Sequence, residues 1–150
     1  MPEVTLWSSE LLLAGLFWFW SLWFLVVAIM NIADLLVDLQ VLRPGFPLAS
    51  GNLRMIREVT ARYHPPAWLT RLLFVGVIAL QIGATWTYAG AGLAPRSIYP
   101  FLALALAGIL LGGFLLADEI LGVYTYAAQL QASHRALLGL QILTLIVLLA

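Results

Sequence analysis

Four long stretches of this 150-residue chain are apolar and almost free of formal charge. The first, residues 11–33, is 23 residues long. At 1.5 Å per residue, a helix of that length crosses a hydrocarbon core of roughly 30 Å. The sequence therefore predicts an all-α polytopic membrane protein, a bundle of four transmembrane helices that forms one domain over residues 1–150. The predicted spans are about 11–33, 72–89, 98–117 and 134–150.

Composition excludes most other classes of protein. The chain is 63% apolar and 9% charged, whereas an average soluble domain is about 45–50% apolar and about 25% charged. A soluble enzyme, a disordered chain and a nucleic-acid-binding module are excluded, and the net charge of zero gives no field for nucleic acid. Without cysteine there is no disulfide framework and no thiolate chemistry. The expected partners are the lipid bilayer and other membrane subunits.

Arginine distribution predicts the orientation. Lysine is absent, and six of the seven arginines belong to the first and third connecting loops. Loops rich in arginine stay on the cytoplasmic side. We therefore expect a multi-pass protein of a bacterial inner membrane, with both basic loops cytoplasmic and both termini outside. The six are Arg43, Arg54, Arg57, Arg62, Arg71 and Arg135, and the exception is Arg96.

The first loop contains a short amphipathic helix, predicted over residues 52–63. Apolar side chains such as Leu53 and Ile56 share one side of it, and Arg54, Arg57 and Arg62 share the other. Ser50 or Asn52 is the expected cap. Two placements remain open. The helix lies flat on the inner leaflet with its arginines near lipid headgroups, or it packs on the bundle.

Polar side chains gather at the predicted cytoplasmic end of the bundle. A proton or cation vestibule is one interpretation, because acids in membrane spans usually face a partner or a water-filled cavity. Interfacial ion pairs are the other, and we favour them because acids at the membrane edge need no special placement. The cluster consists of Asn31, Asp34, Asp38, Asp118, Glu119, His134 and Arg135.

Three polar side chains fall near the middle of the predicted spans: Ser21, Gln81 and Gln141. An amide without a partner is costly in hydrocarbon, so we expect these three to face one another as structural contacts. Gly108 and Gly112 lie four residues apart in the third span. That spacing lets helix backbones approach closely, and we favour its use inside the bundle over use with a neighbouring subunit.

Residues 17–24 carry six aromatic side chains. They surround the helix, so some of them, among Trp18, Trp20 and Trp23, must face lipid or another molecule. Contact with a pigment, a quinone or a partner helix is one possibility, and plain lipid and bundle contact is the other. No cofactor is predicted, because the two histidines, His64 and His134, match neither usual zinc spacings nor a haem site within the bundle.

Short motifs give one resemblance that covers most of the chain. Asn31 and Asp34 form an Asn-x-x-Asp pattern at the end of the first span. Glu119 near the end of the third span is followed by Arg135 at the start of the fourth. This layout resembles an uncharacterised bacterial family of predicted small four-span integral membrane proteins. The resemblance implies no known activity.

The loop residues give a second resemblance. Asn52, Arg54, Arg57 and Glu58 are similar, in a different order, to the Arg-x-x-x-Asn-x-x-Glu loop pattern of the membrane-associated glutathione and eicosanoid enzymes. That resemblance implies a glutathione-type transferase.

Three functions follow from these patterns. Because no catalytic constellation is visible, the leading hypothesis is a non-catalytic accessory or scaffolding subunit of a larger bacterial inner-membrane complex. It would dock through its aromatic and glycine-rich helix faces. The alternatives are a membrane-embedded glutathione-type transferase and a small transporter with a proton or cation pathway.

Overall fold

The computed structural model describes the backbone of residues 2–121 and 128–149 and the side chains of residues 10–121 and 131–149. Within these residues the chain is helical and contains no strand, which confirms the predicted all-α class. The helices are α1 (Pro2–Asp38), α2 (Asn52–Thr60), α3 (Ala67–Leu93), α4 (Tyr99–Leu121) and α5 (Ala128–Leu149), with a 3₁₀ turn at Ala61–Tyr63 after α2.

Four of these helices are long and apolar enough to cross a membrane: α1 from Glu10 onward, α3, α4 and α5 from Gln131 onward. Each helix is longer than its predicted span. Asp34 and Asp38 continue α1, and Asp118 and Glu119 continue α4. Residue 150, the predicted end of the fourth span, lies outside the described residues.

The bundle core lies between α1, α3 and α4. α3 packs on both α1 and α4, while α5 packs mainly on α4 and touches α1 at few points. Stacked aromatic side chains fill the centre of the core, and alanines bring α3 and α4 together. The aromatic residues are Phe17, Trp20, Phe24 and Tyr88, and the alanines are Ala84, Ala91, Ala103 and Ala107.

The favoured internal role of Gly108 and Gly112 is wrong. Among the described residues, a Cβ built at either glycine has no heavy atom within 4 Å beyond its own helix backbone. The helical period explains this, because Ala103 and Ala107 form the buried stripe of α4. Gly108 is turned away from that stripe by one residue, or about 100°. The glycine face of α4, defined by Gly108, Gly112 and Gly113, is therefore open.

Helix α2 packs on the bundle. Its Leu53 is buried against Phe74 and Ile78 of α3, with Leu35 of α1 and Ile56 of α2 at the edge of the cluster. The sequence left two placements open, on the inner leaflet or on the bundle, and the structure has α2 packed on the bundle. The apolar side of α2 is thus covered by protein, and Arg54 on its other side is exposed.

Candidate functional site

Asn31 is the centre of a buried polar network that joins α1, α2 and α3. Its Nδ2 donates to Oε1 of Gln81 over 3.0 Å. Its Oδ1 accepts from Nδ2 of Asn52 over 2.9 Å. Both Asn31 and Gln81 are almost fully buried, so this hydrogen bond lies inside the bundle. The bond to Gln81 joins α1 to α3 about one helical turn further into the first span than Asp34.

Asp34 caps α2 from another helix. One carboxylate oxygen accepts the N–H of Gly51 over 2.9 Å. The other accepts the N–H of Leu53 over 3.0 Å and the hydroxyl of Ser50 over 2.9 Å. The N-cap residue is Gly51, in the left-handed region at φ 79°, so neither Ser50 nor Asn52 occupies the predicted N-cap position. The hydroxyl of Ser50 still accepts the N–H of Asn52 over 3.3 Å, and it assists the cap that the carboxylate of Asp34 provides.

Asp38 binds two arginines at the boundary of α1, α2 and α3. Arg71 Nε donates to Oδ2 over 2.7 Å. Arg57 binds both carboxylate oxygens, with Nη2 to Oδ2 at 2.8 Å. Arg57 was predicted to contact lipid headgroups, but the packing of α2 places its guanidinium against α1.

A second polar group joins α4 to α5. His134 Nδ1 lies 2.7 Å from Oδ2 of Asp118, and its ring stacks on Phe114 at 4.9 Å between centroids. Glu119 accepts from Gln131 over 2.9 Å and from Arg135 over 3.2 Å.

The seven residues of the predicted cytoplasmic cluster thus form two groups. Asn31, Asp34 and Asp38 belong to the α1–α2–α3 group, and the other four belong to the α4–α5 group. In the part of the chain that the structure describes, no hydrogen bond or ion pair joins these two groups. Each of these acids contacts partners within its own group, and the vestibule interpretation stays a prediction.

The remaining predicted headgroup arginines differ from each other. Arg54 is exposed and lies 3.8 Å from Glu58 on the same helix. Arg62 donates to the backbone carbonyl of Leu121 at the end of α4. Of the three predicted headgroup arginines, Arg54 is therefore the one whose guanidinium faces away from the bundle. Arg62 instead joins the first loop to α4.

The three mid-membrane polar residues are buried but do not contact one another, so that expectation is wrong. Ser21 donates to the carbonyl of Thr85 over 3.0 Å. Gln141 accepts from the hydroxyl of Tyr88 over 2.7 Å. Gln81, bound to Asn31, lies two turns of α3 away from Tyr88, and this separation keeps it from Gln141.

Two contacts to α5 were missed by the sequence analysis. Trp20 Nε1 donates to Oγ1 of Thr144 over 3.0 Å, and this bond joins α1 to α5. Tyr88 forms the other contact, with Gln141. Gln141 and Thr144 are three residues apart and share a helix face. That spacing is the signal that could have indicated them. The Nε2 of Gln141 is buried and has no hydrogen-bond partner among the described residues.

The aromatic segment is divided between core and surface. Trp20 is 1% exposed, whereas Trp18 and Trp23 are 41% and 40% exposed. Trp18 packs its indole over Gly92, and Trp23 stacks on Phe19 at 6.4 Å between centroids. The outer rings are thus available to lipid or to a partner.

The histidines and acids do not converge on one point. Within residues 2–121 and 128–149 no three His, Asp or Glu side chains are grouped as metal ligands. His134 is bound to Asp118, and His64 is exposed at the end of the 3₁₀ turn. The site that the structure displays is a set of interhelical contacts.

Comparison with known proteins adds no relative. No family model, no curated protein and no solved structure matches the chain. The resemblances suggested by the Asn31–Asp34 pattern and by the loop around Arg54 therefore stay predictions.

Proposed function

We propose that this protein is a non-catalytic accessory or scaffolding subunit of a larger complex in a bacterial inner membrane. The observation that carries the proposal is the open glycine face of α4. Glycine in a helix interior costs about 1 kcal/mol relative to alanine, and in lipid that cost is compensated where another helix packs closely on the small face. Among the described side chains, neither α3 nor α5 packs on Gly108 or Gly112, so a helix of a partner subunit is the proposed occupant.

The edge position of α5 supports the same proposal. Only 11% of its span is buried, compared with 28% for each of the other three spans. It touches α1 at few points, one of them the bond between Trp20 and Thr144. A bundle with one lightly attached helix leaves lateral surface for a neighbouring subunit, and the exposed Trp18 and Trp23 extend that surface on α1.

The Gly108→Leu variant tests whether a partner helix packs on the glycine face of α4. We expect Gly108→Leu to fold normally, because a side chain there meets open space. We expect it to lose co-purifying membrane proteins in gentle detergent, because leucine prevents close helix approach. Native gels and mass spectrometry of the extracted protein measure this.

Gly15→Leu is the matched control, since position 15 of α1 is equally open. This variant is expected to retain the membrane proteins that co-purify with the unmodified protein. The proposal is wrong if the unmodified protein is extracted alone, or if both variants retain the same companions.

The proposed orientation places the α2 loop in the cytoplasm. Because the chain has no cysteine, single cysteines report sidedness directly. Glu58, in α2 before the start of α3, and Ala94, directly after the end of α3, are both exposed, so each can be replaced with cysteine. We expect an impermeant maleimide to label Ala94→Cys on intact cells and Glu58→Cys only after lysis. Labelling of Glu58→Cys on intact cells contradicts the orientation.

The transferase and transporter alternatives have less support. Arg57 and Arg71 both bind the carboxylate of Asp38. Their guanidinium groups therefore form ion pairs within the bundle and are not arranged around a thiol-binding pocket. The buried polar residues Gln81 and Tyr88 are hydrogen-bonded within the bundle, which favours a structural role for them.

A further inference from the structure

The chain changes direction directly after α1. The carbonyl of Leu36 accepts the N–H of Val41 over 2.9 Å, and the carbonyl of Val37 accepts the N–H of Gln40 over 3.0 Å. Gln40 is in the left-handed region at φ 62°. This pair of bonds around a left-handed residue is the Schellman motif, which ends a helix and satisfies its last carbonyls.

The loop that follows returns to the level of Asp34. The hydroxyl of Ser50 and the N–H of Gly51 both bind the carboxylate of Asp34 over 2.9 Å. Asp34 is the first charged residue after the uncharged stretch 11–33, and Gln40 follows six residues later, about 9 Å along the helix. The headgroup layer on each side of a bilayer is about 5–8 Å thick. The loop therefore starts near the water-facing edge of that layer and returns to its hydrocarbon-facing edge.

The side chains of this loop suit acyl chains better than water. Leu39, Val41 and Leu48 are 49%, 68% and 51% exposed. Exposed apolar side chains at the edge of a membrane are typical of segments that insert into the boundary between headgroups and acyl chains. Pro44 and Pro47 have no N–H group, so fewer backbone donors need a partner at this depth.

Arg43 provides a positive charge without a protein partner. Residues 39–57 contain three arginines and no acid. Arg57 binds a carboxylate of α1, and Arg54 lies beside Glu58 on its own helix. The guanidinium of Arg43 is exposed and has no hydrogen bond or ion pair among the described residues. A lipid phosphate at the same depth supplies a complementary charge and acceptor oxygens.

We propose that residues 39–48 form an interfacial loop that binds anionic phospholipid. Leu39, Val41 and Leu48 contact the acyl chains next to the headgroups, and Arg43 donates to the lipid phosphate. The occupant is lipid and not a partner protein, because the loop lies at headgroup depth and its one charged side chain is an unpaired cation. This inference is independent of the proposed subunit role.

Spin labels test the depth of the loop. Because the chain has no cysteine, Val41→Cys and Leu48→Cys each carry one nitroxide in nanodiscs of phosphatidylcholine and phosphatidylglycerol. We expect both nitroxides to collide mainly with oxygen, which dissolves in acyl chains. Glu58→Cys is the control at an exposed position of α2, and its nitroxide is expected to collide mainly with a nickel chelate, which stays in water.

A charge variant tests the headgroup contact. Native mass spectrometry counts the phosphatidylglycerol that the full chain retains from the same nanodiscs. We expect Arg43→Gln to weaken phosphatidylglycerol binding about fivefold, the effect of one arginine near an anionic membrane surface. Arg54→Gln is the matched control, because it removes the same charge from an exposed position outside the loop. It is expected to retain phosphatidylglycerol as the unmodified protein does.

Each outcome decides the proposal. Oxygen collisions at positions 41 and 48, together with loss of phosphatidylglycerol in Arg43→Gln alone, support it. Collisions at both positions mainly with the nickel chelate place the loop in water and overturn it. Weak collisions with both reagents mean that protein covers the loop, which also overturns it. Unchanged phosphatidylglycerol binding in Arg43→Gln, or equal weakening in both arginine variants, contradicts the headgroup contact.

Discussion

Replacing Asp34 with alanine is expected to lower the free energy of unfolding by about 3 kcal/mol. The substitution removes the acceptor of three hydrogen bonds, from the N–H groups of Gly51 and Leu53 and from the hydroxyl of Ser50. These donors lie at a partly buried helix end, where an unsatisfied group costs about 1–3 kcal/mol. Relief of the cost of burying a carboxylate offsets part of the loss. Unfolding of the protein by increasing SDS in mixed micelles measures the change in the free energy of unfolding.

Two variants sharpen this test. Asp34→Asn keeps the shape of the side chain but replaces one acceptor oxygen with a donor, so it is expected to recover less than half of the stability. Glu58→Ala, at an exposed position of the same loop, is expected to change stability by less than about 0.5 kcal/mol. A loss below about 1 kcal/mol in Asp34→Ala means that α2 does not depend on this cap.

Replacing Trp20 with alanine is expected to cost about 4 kcal/mol. Trp20 stacks between Phe24 and Tyr88 in the centre of the core, and its removal leaves a cavity that the neighbouring rings fill only in part. It also breaks the hydrogen bond to Thr144 that joins α1 to α5. We expect limited proteolysis to release α5 first, because that helix is the least buried span.

The matched control is Trp23→Ala, one turn along the same helix. Trp23 is 40% exposed, so its removal is expected to cost about 0.5 kcal/mol. Thr144→Val separates the hydrogen bond from the packing and is expected to cost about 0.6 kcal/mol, the average for interhelical bonds in a membrane protein. Equal losses in Trp20→Ala and Trp23→Ala contradict this description of the core.

Hydropathy was sufficient to predict the all-α class and a four-helix membrane bundle, because both depend on long apolar stretches. The amphipathic pattern of residues 52–63 also indicated a helix where α2 and its 3₁₀ turn lie. Sequence could not decide whether this helix packs on lipid or on protein. Its apolar side suits either surface, and only the position of Phe74 and Ile78 in three dimensions selects protein.

The partners of the polar residues were the least predictable part. Asp34 was recognised as a candidate, but its role depends on the N–H groups of Gly51 and Leu53, and backbone groups leave no trace in a sequence pattern. The prediction that the two glycines pack inside the bundle was wrong for a different reason. Gly108 and Gly112 have the spacing of a packing motif, yet alanines on a neighbouring stripe already provide the close approach.

The cap that Asp34 provides has a consequence for biogenesis. Its three donors come from residues 16, 17 and 19 positions further along the chain, so the contact closes a short loop and needs no later segment. The first span and the amphipathic helix can therefore join while the ribosome is still translating the second span. When α3 enters the bilayer, it can then dock on this hairpin, where Phe74 and Ile78 cover Leu53 and the amide of Gln81 binds Asn31.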